Sequence, residues 1–132
     1  MMEFSGHGLV CEIGFSMPDV EGWMHTTVSL KAPSFEGGFS CTIEVEEWKG
    51  FVQVLRKLDS TAGEKADAVW VNMEENIEFS FSANPRGALE ISYRFSPDCF
   101  SLGPTLSGTF EADQTFLRRW ITEAEAVLSR DH

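Results

Sequence analysis

The chain has 132 residues, 42% hydrophobic and 12% aromatic, enough for one domain with a sizeable core and too apolar for disorder. Lys and Arg number 10 against 21 Asp and Glu, a net charge of −11, with 10 acids and 5 bases in residues 1–66 and 11 and 5 in residues 67–132. An acidic field spread this evenly opposes nucleic acid and anionic lipid, and it speeds encounter with a basic partner.

In chain order, Leu9, Cys11, Ile13 and Phe15 alternate with polar or small residues, the period of a half-buried strand. Pro18 and Gly22 bracket a loop. "WMHTTVSLKA" then sets Met24, Thr26, Val28 and Leu30 in one phase, and Pro33 ends it. "GGFSCTIEV" is a third strand, with Phe39, Cys41, Ile43 and Val45 facing one way. The period changes next. Trp48, Phe51, Val52, Leu55 and Leu58 recur at helical spacing in "EEWKGFVQVLRKL". Glu46 and Glu47 sit in the first turn of this helix and Arg56 and Lys57 in its last, the signs that favour the helix dipole.

After the polar loop "DSTAGEKAD" the sequence predicts a short strand, Val69–Met73, then "IEFSFS". The turn "ANPRG" leads into "ALEISYRFS", where Leu89, Ile91, Tyr93 and Phe95 alternate. A loop, "PDCFSLGP", precedes the last strand, "TLSGTFEA", with Leu106 and Phe110 in phase. Phe116, Leu117, Trp120, Ile121, Ala124, Val127 and Leu128 then form the stripe of a second helix, and Asp113 is its natural N-cap. Arg119 and Glu123 stand at the i, i+4 spacing of a helical ion pair.

"SCTIEVEEW" at Ser40–Trp48 is echoed by "SGTFEADQT" at Ser107–Thr115, an offset of 67. Each segment follows two strands and opens an amphipathic helix. The expectation is an α+β domain over 1–132 built from duplicated β-β-β-α halves, about 8–59 and 67–130. Their antiparallel sheet of about seven strands carries two helices packed on one face, and Val69–Met73 is an extra strand joining the halves.

No catalytic signature emerges. His7, His25 and His132 share no helix face and lie near no cysteine cluster, so no metal site is expected. Cys11, Cys41 and Cys99 form neither a CxxC pair nor a disulfide framework, and Cys11 and Cys41 read as buried reduced thiols. G-x-S-x-G and Walker spacings are missing, and no cofactor is expected. "FSGHGLV" is explained by a turn. The N-terminus shows no signal-peptide pattern, and no apolar run approaches the ~20 residues of a membrane helix, so the expected location is cytoplasmic.

Two carboxylate clusters remain: Glu44, Glu46 and Glu47 at the first strand-to-helix seam, and Glu74, Glu75 and Glu78 at a turn. General acid–base work would need burial to separate their pKa values. In turns and helix starts solvent keeps them ionised, and they read either as solvated charge or as partner-binding acids that steer a basic protein.

The helix residues Trp48, Phe51, Leu55 and Leu58, together with Phe110, Asp113, Gln114, Thr115, Phe116 and Leu117 of "FEADQTFL", resemble the WapI-like bacterial immunity proteins. The resemblance implies an antitoxin-like cytoplasmic protein that binds the toxic C-terminal domain of a contact or secreted toxin. It carries over no catalytic residue. Two other readings stand beside it. One is a small-ligand or enzymatic domain using the open sheet face, with Trp23, Trp70 and Tyr93 as lining. The other is a structural or assembly subunit. The oligomeric state is open.

Overall fold

The structure is a computed structural model that describes residues 2–97 and 103–129. Cys99 and His132 lie outside the described residues.

Four strands form a first antiparallel sheet in chain order: β1 (Met2–Glu3), β2 (Val10–Phe15), β3 (Trp23–Ala32) and β4 (Phe35–Glu44). Helix α1 (Val45–Ser60) follows. A second antiparallel sheet, β5 (Ala66–Val71), β6 (Ile77–Ala83), β7 (Ala88–Phe95) and β8 (Leu106–Asp113), leads into α2 (Gln114–Ser129). The duplicated α+β arrangement is present. In place of one sheet of about seven strands, eight strands divide into two sheets of four. Period-two alternation reports which side of a strand is buried and is silent on which strands share hydrogen bonds.

Two details of the expected layout change. Val69–Met73 was expected to join the halves, whereas β5 is the first strand of the second sheet and the counterpart of β1. It also stops at Val71, because Asn72 turns the chain: its Oδ1 accepts from the Ile77 N–H at 2.9 Å. The repeat register changes as well. Glu44 precedes α1 and Asp113 precedes α2, so the structural offset is 69 rather than 67. A two-residue slip preserves strand phase, so the strand pattern alone fits either offset. The helices decide between the two offsets. At 69, Trp48, Phe51, Leu55 and Leu58 fall on Leu117, Trp120, Ala124 and Val127, and all eight are buried.

The inward strand positions read from the sequence are buried: Cys11 and Ile13; Met24, Thr26, Val28 and Leu30; Leu89, Ile91, Tyr93 and Phe95. Both sheets and both helices share one hydrophobic core. Its aromatic centre is Phe4, fully buried, with ring centroids 4.5 Å from Phe79, 4.3 Å from Trp120, 5.7 Å from Phe110 and 5.8 Å from Phe51. One ring thus touches both helices and the second sheet.

The halves interlock reciprocally. Helix α1 packs against β5 of the second sheet, and α2 packs against β1 of the first. The Trp48 indole N–H donates to the Ala124 carbonyl at 2.9 Å, and that of Trp120 to the Ser5 carbonyl at 3.2 Å. Arg56 pairs with Glu125, and Arg118 Nε lies 3.6 Å from Asp59, tying the helices across the surface. "FSGHGLV" does more than turn. His7 and Glu111 exchange backbone hydrogen bonds of 2.8 and 3.2 Å, which docks the first hairpin's tip on β8. A Cβ at Gly6 would sit 2.6 Å from the Phe110 ring and 2.7 Å from the Glu111 carbonyl oxygen, so only glycine admits this approach.

A candidate protein-docking seam

The two carboxylate clusters, some thirty positions apart in the chain, meet where the first half hands over to the second. At the end of β4 the chain turns into α1, and Glu44 is the cap residue. Glu47, at the third helical position, reaches back: its Oε2 accepts from the Glu44 N–H at 2.7 Å, the return arm of a capping box. Its other oxygen accepts from the Met73 N–H, and its carbonyl accepts from the Trp70 indole at 3.0 Å. Glu47 therefore clamps α1 to β5 and to the turn after it.

That turn is built on two buried asparagines. Asn72 Nδ2 donates to Asn76 Oδ1 at 3.3 Å, and Asn76 Nδ2 donates to the Ser96 carbonyl at 2.9 Å. The Glu75 N–H donates to the Asn72 carbonyl at 2.9 Å, and Glu75 itself holds φ 57, the left-handed region. With its interior satisfied, the turn projects Met73, 66% exposed, and the carboxylates of Glu74 and Glu75. Glu74 bends toward the first sheet and accepts from the Thr42 hydroxyl at 3.2 Å. Under this surface, burial pushes the Cys41 thiol up to about 12, and the carboxylates of Glu74 and Glu47 push in the same direction.

The six candidate acids thus have different neighbours. Glu47 spends both oxygens on backbone N–H groups. Glu46 pairs with Lys49 at 3.1 Å and Glu78 with Arg94 at 3.3 Å. Glu44, Glu74 and Glu75 form no ion pair among the described residues. Beside them lies a feature that counting charges does not reveal. Val69 and Val71 on the outer face of β5 are 61% and 40% exposed and continue into Met73, while Trp70 and Asn72 between them are buried. The sequence signal was available as the apolar residues of "AVWVNM" occupying both phases of one strand.

Elsewhere the chemistry is sparse. Of the three residues suggested as ligand lining, Trp70 and Tyr93 are buried in the core, and Trp23 is half-buried at the start of β3. Outward positions of the second sheet are mostly Ser, Thr and charged residues, in rows such as Ser80–Ser92–Thr109. A polar recess of about 330 Å³ beside His7, Ser82, Glu90 and Glu111 and an apolar one of about 350 Å³ beside Leu30, Phe39, Phe95 and Leu106 are both open to solvent. Among the described residues no group of His, Cys, Asp and Glu is arranged to hold a metal ion. Cys11 is fully buried, and burial, helped by Glu12, pushes its thiol up to about 12, away from nucleophilic chemistry. His25 is exposed on the polar side of β3. No helix of the described residues is long and apolar enough to cross a membrane.

Residues 10–131 match the model of the immunity protein WapI-like family. No curated protein matches the chain.

Proposed function

The chain belongs to the immunity protein WapI-like family, and from that premise we propose that it is a non-catalytic cytoplasmic protein that binds the toxic domain of a bacterial toxin and holds it inactive. The family match, spanning 122 of 132 positions, is the observation that carries the reading. A toxin-neutralising role requires a protein partner and no chemistry of its own. The two thiols raised to about 12 are in keeping with that. The charge of −11 favours a basic partner, because opposite potentials raise the association rate and leave wrong, acidic partners repelled.

The test begins with gene context: a large toxin gene immediately upstream. The C-terminal domain of that toxin, produced alone, is expected to arrest growth when expressed in a host and to be tolerated when this chain is co-expressed. Purified together, the two co-elute at low salt. Absence of binding at both low and high salt, with no rescue of growth, overturns the proposal.

A further inference from the structure

We propose that the partner docks on the seam between the two halves, laying an apolar surface on Val69, Val71 and Met73 and basic side chains on Glu44, Glu74 and Glu75. The inference rests on the toxin-binding reading and assigns it a surface.

Three observations converge there. First, Val69, Val71 and Met73 form a line of exposed apolar side chains at every second residue, spaced about 7 Å apart where the chain is extended. Among the described residues the other large exposed apolar groups are Val10, Met17, Val20 and Phe35, which follow no such alternation along one strand. Second, the flanking carboxylates lack basic partners. Their cluster neighbours Glu46 and Glu78 are matched by Lys49 and Arg94, whereas Glu44, Glu74 and Glu75, brought to one place beside the apolar line, are not. At the seam the matching cations are left for another molecule to supply. An apolar centre with a charged rim is the anatomy of a specific protein interface. Third, the platform is rigid before binding. The Asn72–Asn76 pair and the Glu47 clamp fix the turn from beneath, so little ordering entropy remains to be lost on association. The occupant this surface fits is a folded protein surface with an apolar patch ringed by Lys and Arg. A second copy of this chain would bring the same unpaired acids face to face.

The experiment measures affinity of the full chain for the upstream-encoded toxin domain by calorimetry, with sedimentation of each protein alone. Two variants probe the seam. Val69→Ser combined with Val71→Ser removes the apolar line. Glu75→Gly removes one rim charge at a left-handed position that glycine holds without strain, and its melting temperature, measured beside the parent's, keeps unfolding apart from lost binding. Phe35→Ser, on the first sheet's hairpin, is the control. The expected result is a loss of about tenfold or more for the double variant, a smaller loss for Glu75→Gly that fades in high salt, and parental affinity for Phe35→Ser. Parental affinity in both seam variants overturns the docking surface while leaving the toxin-binding reading standing. A dimer of the chain alone that dissociates in the double variant also overturns it, since the occupant is then a second copy. If the parent protein shows no binding, the underlying reading fails and the seam assignment falls with it.

Discussion

At the residue scale, Cys11 and Cys41 show how burial sets chemistry. Each thiol sits in the inward phase of a strand, and removal from water penalises the thiolate, so both rise from 9.0 to about 12. The consequence for stability has a definite sign. In the unfolded chain these thiols ionise near 9, whereas the folded protein keeps them protonated. Their contribution is therefore complete below pH 9 and drains away as pH rises toward 12, with a limiting slope of about 1.4 kcal/mol per pH unit for each thiol. Urea midpoints measured from pH 7 to pH 11 should be flat at first and fall above 9, and Cys11→Ala with Cys41→Ala should flatten the alkaline limb. An alkaline limb unchanged in that double variant would show that other groups carry it. The same burial predicts that both thiols resist alkylation in the folded protein and react once it is unfolded.

At the element scale, Glu47 belongs to neither half alone. Its carboxylate accepts one N–H from the start of its own helix and one from the turn after β5, and hydrogen bonds to a charged acceptor contribute about 1.5–3 kcal/mol. Glu47→Ala should destabilise by about 2–3 kcal/mol, and Glu47→Gln by roughly half as much, because one acceptor oxygen survives. Glu46→Ala, which removes an exposed pair with Lys49, should stay within about 0.5 kcal/mol. Equal losses at the two positions would contradict the clamp. Sequence could not separate these neighbours, since both are first-turn acids of the favourable sign. The elements themselves were far more legible. Both helix stripes were readable because five or more apolar residues at 3.6 spacing admit one interpretation, and β3 ran over the whole stretch its alternation marked out. Strand β1 was unreadable, two residues being too few to display a period, and with it went Phe4, the ring at the centre of the core. The seam was visible only as two clusters. Nothing local records that Thr42 and Glu74, thirty-two positions apart, share a hydrogen bond.

At the scale of the whole molecule, duplication has not produced two independent units. Each half supplies a four-stranded sheet and a helix, yet each helix packs on the first strand of the opposite sheet. Phe4 of the first half finds Phe79, Phe110 and Trp120 in the second, and Trp48 finds its acceptor at Ala124. A fragment ending just before Gly63, in an exposed loop, would leave Phe4, Trp48 and Phe51 without much of their packing. Loss of comparable aromatic contacts in single substitutions costs about 3–5 kcal/mol each, which already rivals the net stability of a typical domain. Residues 1–62 made alone should therefore show no cooperative thermal transition and should bind a hydrophobic dye, and residues 63–132 should behave likewise. Mixed in equal amounts, the fragments should regain a single cooperative melt, because the interlocking contacts need no covalent link across an exposed loop. A first fragment that melts cooperatively by itself would mean that each sheet-and-helix unit closes its own core. The reciprocal packing of α1 on β5 and α2 on β1 would then be an interface between finished domains. The seam at Glu47 and Met73 would become a mobile joint in place of a fixed platform.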